Sequence, residues 1–334
     1  MGSAMVLMSA TAGLAICEFA VRKLRLAPEI YPVQKGRFRL ASNPLIGYEL
    51  VPNFDSNSSG EMLDFKGTAN SLGFRDREHS ERKPRGVYRV LFIGDSVTQG
   101  FGLEGNDNLY TSVLERELRA KGVNAEVLNF AVSGYNTQQE VLTLKEKGLR
   151  FSPDLAVLAY CINDTTFQSG EIVPNLQNVQ ARRKSVPLPR VPGVFLSSAL
   201  YRFVATRLSA ARPGAVNGMQ QIMKNTVPEY LKVFADLSRQ NGFEALVAWF
   251  PAMEGNFPEE EHQPDYVRRM AAAQRVRFLD LSGEIKACAG IRRIHIDRVH
   301  LNRDGHRCVG EALARHIITD FSPNREANAP GPQH

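Results

Sequence analysis

Tyr88-Arg89-Val90-Leu91-Phe92-Ile93-Gly94-Asp95-Ser96 is the stretch on which the fold of this chain turns. Its apolar run does not alternate with polar residues, so it suits a strand buried on both faces, and the glycine ends it. Runs of the same kind recur at 126–132, 154–160, 244–250 and 276–281. Helix-length segments separate them around 107–120, 137–148, 217–241, 261–274 and 304–318. Short strands divided by helices imply right-handed βαβ crossovers and a parallel sheet covered on both sides. The expected class is α/β, a flavodoxin-like three-layer α/β/α sandwich with a five-stranded parallel sheet.

Outside that pattern the chain changes character. Residues 27–87 are rich in turn formers, among them Pro44, Pro52-Asn53 and Asn57-Ser58-Ser59-Gly60, around short runs such as Gly47-Tyr48-Glu49-Leu50-Val51. This is a loop-and-hairpin prelude to a main domain at 88–320. Within that domain the strand and helix pattern fails at 165–216, a long insertion of the kind that forms a lid, a binding loop or a surface excursion. Residues 321–334 read as a flexible tail.

The N-terminal segment, 1–26, opens with no charge before Glu18 and stays apolar to Val21, after which Arg22, Lys23 and Arg25 follow. About 20 apolar residues suffice to span a bilayer, and a basic flank suits an anchor. The expectation is a membrane or signal anchor with the domain outside the cytoplasm. A buried helix and a cytoplasmic domain are the alternatives, the latter because no Lys or Arg precedes the segment.

Composition narrows the remainder. The 334 residues are 43% hydrophobic and 23% charged, as in a globular protein. The balance of 41 Lys and Arg against 35 Asp and Glu is modest and scattered, which argues against a nucleic-acid partner. Cys17, Cys161, Cys288 and Cys308 form no metal or CxxC spacing and read as free thiols, mostly buried.

Two places carry chemistry. Ser96 follows the first strand of the main domain, and ligand crevices of open α/β sheets lie at the carboxyl ends of strands. Gly94 permits a sharp turn there, and the Ser96 amide is then free to donate to an oxyanion. Alone, Gly-Asp-Ser is an ordinary strand-to-helix turn. Near the other end of the chain stands Asp297-Arg298-Val299-His300. An aspartate three residues before a histidine can hold one ring nitrogen and leave the other to accept the serine proton. His262, His295, His306 and His316 fit that role less well.

These residues, from Tyr88 to Ile318, resemble the GDSL/SGNH hydrolases. Gly94-Asp95-Ser96 matches the first family block, Gly134 the second, Cys161-Ile162-Asn163-Asp164 part of the third, and Asp297 with His300 the last. The departure is Cys161 where the family has glycine. Ala69-Asn70-Ser71-Leu72-Gly73-Phe74-Arg75-Asp76 is similar to a phrase in bacterial membrane-tethered members. The resemblance implies a serine esterase forming an acyl-enzyme on Ser96, with His300 as base and Asp297 orienting it. It implies an oxyanion hole from the amides of Ser96 and Gly134 and the Asn163 side chain. No metal or organic cofactor is required. The substrate would be an acyl or O-acetyl ester on a small molecule, glycan or lipid. An O-acyltransferase using the same triad and a non-catalytic binding module are the rival readings.

Overall fold

The computed structural model describes residues 2–24, 37–57, 65–165, 198–200, 204, 213–252, 263–291 and 293–321. The chain divides into two compact units, one of residues 1–35 and 177–219, the other of 36–176 and 220–334. Most of the 165–216 insertion, His262 and all but the first residue of the expected tail lie outside the described residues.

In the first unit, helix α1 (Gly2–Lys23) exposes Leu14, Ile16 and Phe19 and buries Val21. Glu18 accepts hydrogen bonds from the Ser198 hydroxyl and from the amides of Ala199 and Leu200 at 2.7 to 2.8 Å. Those amide bonds, Leu200 first, and the Arg22 guanidinium hold its carboxyl down at about 2. Among the described residues no helix is long and apolar enough to cross a membrane.

The second unit contains the expected sheet. A short antiparallel hairpin, β1 (Phe38–Leu40) and β2 (Tyr48–Leu50), precedes it. Five parallel strands follow: β3 (Tyr88–Ile93), β4 (Ala125–Asn129), β5 (Leu155–Tyr160), β6 (Glu244–Trp249) and β7 (Arg277–Asp280). Their spatial order is β4-β3-β5-β6-β7. The connecting helices are α2 (Ser96–Gln99), α3 (Tyr110–Ala120), α4 (Thr137–Thr143), α5 (Pro213–Asn241), α6 (Pro264–Ala273), α7 (Ser282–Ala289) and α8 (Arg303–Phe321).

The unalternated strands bury both faces, as their sequence requires. Leu91, Ile93, Ala156, Leu158 and Tyr160 pack with Val141 of α4, Leu231 and Phe234 of α5 and Val267 of α6. Val90, Phe92, Leu155, Val157 and Ala159 pack on the opposite face with Leu114 of α3, Ile285 of α7 and Leu313 of α8. Each large apolar side chain so buried contributes roughly 1.5–3 kcal/mol. The order reverses between β4 and β5, on either side of β3, which places a crevice at the carboxyl end of β3.

The cysteines require a correction. Cys288 of α7 and Cys308 of α8 form a disulfide, Cys17 is exposed, and Cys161 alone is a buried free thiol. The two partners stand on successive helices that pack together, a proximity that a separation of 20 residues does not reveal.

Candidate active site

The turn after β3 is built around absent side chains. A Cβ on Gly94 would lie 2.4 Å from Thr98 Oγ1 and 2.8 Å from Thr98 Cβ, so only glycine allows α2 to start this close to the strand. Asp95 caps α2, its carboxylate accepting from the Val97 amide at 2.9 Å. Ser96 is the first helical residue and stands at the carboxyl edge of the sheet.

Two buried arginines of the prelude hold this short helix from behind. Arg75 is fully buried and donates to the carbonyls of Gln99, Gly100, Lys66, Leu103 and Gly105 and to Asn106 Oδ1. Its guanidinium lies 4.5 Å from the centroid of the Phe65 ring. Burial, with the Arg37 charge beside it, lowers Arg75 to about 9, so it remains a cation at neutral pH. Arg37 donates to Gln99 Oε1 and Ser133 Oγ, and Gln99 Oε1 also accepts from the Ser133 amide at 3.3 Å. Thus the end of α2 is tied to the loop that follows β4.

Asp297 and His300 arrive on the segment between α7 and α8. Asp297 Oδ1 accepts from the amides of Val299 and His300, both at 2.8 Å, and Oδ2 lies 2.7 Å from His300 Nδ1. Burial works to raise the Asp297 carboxyl, but these bonds from His300 and Val299 outweigh it and hold it below the ordinary carboxylate range. His300 Nε2 lies 2.8 Å from Ser96 Oγ. The three side chains form one chain of hydrogen bonds in which a proton can pass from Ser96 to His300 while Asp297 holds the ring. Phe101 stacks on His300 with ring centroids 4.2 Å apart, and its amide donates to the Ser96 carbonyl at 2.9 Å.

Gly134 stands in the loop after β4 with φ of +80°, a conformation few other residues adopt without strain. Asn163 stands in the loop after β5, and its Nδ2 donates to the carbonyl of Tyr135 at 3.2 Å. Both sequence-expected partners of Ser96 are therefore on loops at the same sheet edge.

The other candidate histidines that the structure describes stand away from Ser96. His306 is fully buried, accepts from the Tyr110 amide at Nδ1, and is driven down to about 3 by burial and by the Arg75 charge. His316 meets Glu284 at 2.6 Å, and His295 is buried beside the Asp297 loop. A cleft of about 470 Å³ lined by Arg239, Arg275 and Arg277 lies at the amino ends of β6 and β7, away from this edge.

Sequence reasoning missed Arg75, Arg37, Gln99 and Phe101, and also Glu140. The Glu140 carboxyl is fully buried on α4 with no hydrogen-bond partner among the described residues, and burial together with the Asp164 and Asp95 charges raises it well above the carboxylate range. The phrase containing Phe74-Arg75-Asp76 was the one sign of Arg75.

Fold and site together define a class: α/β proteins that bring a serine, a histidine and an aspartate within hydrogen-bond reach at the carboxyl edge of a parallel sheet. The chain matches the GDSL-like Lipase/Acylhydrolase family over residues 92–308 and belongs to that family. It is an esterase of the SGNH type. Among solved structures it is similar to the acetyl xylan esterase AlAXEase, with 17% identity and a TM-score of 0.42 over 69% of this chain and 100% of that one. It is similar to the psychrotrophic esterase EstA from Pseudoalteromonas sp., with 10% identity and a TM-score of 0.44 over 70% and 98% of the two chains. For TesA the values are 14% and 0.43, over 71% and 98%. No curated protein sequence matches the chain.

Proposed function

We propose that this esterase works through an acyl-enzyme on Ser96. The reading rests on the unbroken series Ser96 Oγ to His300 Nε2 at 2.8 Å and His300 Nδ1 to Asp297 Oδ2 at 2.7 Å. Ser96 Oγ attacks the ester carbonyl carbon as His300 Nε2 takes its proton, and Asp297 stabilises the imidazolium. The carbonyl oxygen becomes an oxyanion received by the amides of Ser96 and Gly134 and by Asn163 Nδ2, each such donor worth a few kcal/mol of barrier. Protonation of the alcohol by His300 releases it. Water then gives its proton to the same nitrogen, attacks the acyl-enzyme and frees the acid and Ser96.

The substrate is an acyl or O-acetyl ester of a small molecule, glycan or lipid, and the protein acts outside the cytoplasm. Support for the location is the Cys288–Cys308 disulfide, a bond kept in oxidising compartments and rare in reducing ones.

The test is hydrolysis of p-nitrophenyl esters from acetate upward by wild type and S96A, with fluorophosphonate labelling to locate the nucleophile. S96A is expected to fold normally, to lose turnover by a factor on the order of 10⁴ or more, and to escape labelling. Full turnover in S96A sinks the mechanism. Wild-type labelling without hydrolysis, together with transfer of an acetyl group to a glycan acceptor, would replace it with acyl transfer.

A further inference from the structure

Hydrogen bonds to an imidazole run to its edge, at the two nitrogens. In His300 both are taken, Nδ1 by Asp297 and Nε2 by Ser96. The faces of the ring are left for other neighbours. Phe101 covers one of them, with centroids 4.2 Å apart and ring planes 27° from parallel.

The backbone keeps Phe101 in that place. Its amide donates to the Ser96 carbonyl at 2.9 Å. The next residue, Gly102, has φ of +71° and lies where a Cβ would stand 2.6 Å from Ile296 Cδ1. Ile296 in turn donates its amide to the His300 carbonyl at 2.8 Å. A side chain at position 102 would push the serine and histidine loops apart and open the stack.

An aromatic ring carries negative charge density on its faces, and a cation held over a face is attracted to it. Neutral imidazole gains little of this attraction. In acylation Ser96 Oγ bonds to the ester carbonyl carbon as its proton passes to His300 Nε2, and in deacylation a water oxygen bonds to the acyl carbon as its proton passes to the same nitrogen. Both steps create an imidazolium. A contact that strengthens only when that charge appears lowers the barrier without tightening substrate binding. Asp297 opposes the same charge from the Nδ1 edge, but its side chain is half-exposed and water screens it. The phenyl ring lies against the imidazole itself.

We infer that Phe101 is a positioning residue that acts through His300: its ring face, stacked on the imidazole, stabilises the imidazolium formed when Ser96 or water gives up a proton. The inference rests on the proposed roles of Ser96 and His300.

The experiment replaces Phe101 in the full chain by mono-, di- and trifluorophenylalanine, which keep the shape of the ring and progressively withdraw charge from its face. Values of kcat and KM are measured on p-nitrophenyl acetate. The expected kcat falls stepwise with fluorine number, to about 5-fold below wild type for the trifluoro ring. KM is expected to stay unchanged, because acylation and deacylation pass through the same imidazolium. F101L has no aromatic face and is expected to lose about 5-fold as well, while F101Y keeps the face and stays within about 2-fold. Every variant retains the main-chain bond to Ser96. Wild-type kcat in the trifluoro protein, or a loss carried by KM, overturns the inference. So does a loss in F101L that fluorination does not reproduce, since packing alone then accounts for it. Each of these results leaves the hydrolase reading intact, whereas absence of Ser96-dependent turnover in wild type overturns both.

Discussion

Replacing Arg75 by methionine would test whether the prelude is part of the machinery that holds Ser96. The guanidinium donates to five carbonyls and one side-chain amide oxygen, and it is fully buried. Methionine keeps much of the apolar stem but donates nothing, so all six acceptors lose a charged donor, while the carbonyls of Lys66, Gly100, Leu103 and Gly105 keep a backbone amide. Each lost bond from this charged donor costs about 1 kcal/mol or more, and removal of the arginine is offset in part by the desolvation cost it no longer bears. The net expectation is about 4 kcal/mol of lost stability, which for a unit of this size lowers Tm by roughly 8–16 °C. Two of the carbonyls, Gln99 and Gly100, terminate α2, so kcat on a p-nitrophenyl ester should fall even at temperatures where R75M is fully folded. The assay pairs a circular-dichroism melt with turnover at 20 °C below the observed midpoint. A Tm within about 2 °C of wild type would refute the reasoning, because the loss of six bonds from a buried charged donor cannot be that cheap.

Asp297 offers a sharper kinetic test: asparagine keeps an acceptor for the amides of Val299 and His300 but presents N–H to the ring, reversing its tautomer. D297N should lower kcat by on the order of 10³–10⁴ with little change in Tm, and wild-type turnover would show that something else orients His300. His306, folded at about 3 against an unfolded value near 6.5, leaves the unfolded chain binding more protons between those limits, so stability falls as pH drops from 6.5 towards 3. Urea midpoints at pH 7, 5.5 and 4.5 should show a shallower decline in H306Q, and identical declines would remove His306 as the cause. Reducing the Cys288–Cys308 bond opens a loop that contains Asp297 and His300; about 3 kcal/mol of stability, or roughly 6–12 °C of Tm, should go with it, together with part of kcat. The C288S/C308S variant should behave like the reduced protein, and unaltered melting in either would refute the stapling role.

The sheet could be read from the sequence because strands buried on both faces must be apolar without alternation, a pattern that Val90 to Ile93 and Leu155 to Tyr160 show directly. The hydrogen-bonded series of Ser96, His300 and Asp297 was legible because its members sit in short local motifs, Asp297 three residues before His300 and Ser96 two residues after a strand-ending glycine. Arg75 leaves no comparable trace: its partners are main-chain carbonyls, which every residue possesses. Helix α7 is too short to declare a period, and the cysteine at its end meets Cys308 only once the two helices pack. The prelude was recognised as a hairpin from Tyr48 to Val51, yet its reach into the serine helix depends on long side chains whose directions no pattern encodes. Glu140 illustrates the opposite failure, since an acidic residue on a helix normally marks the solvent face and here lies fully buried.

Phe101 is bound by its main chain to Ser96 and by its ring to His300. The proposed nucleophile and base come from loops 204 residues apart in the chain, so independent drift of either loop would lengthen the 2.8 Å gap that proton transfer must cross. A shared neighbour changes that relation. When the serine turn moves, the phenyl ring moves with it and carries the imidazole along. The two groups then fluctuate in step, and the distance between them varies less than the position of either.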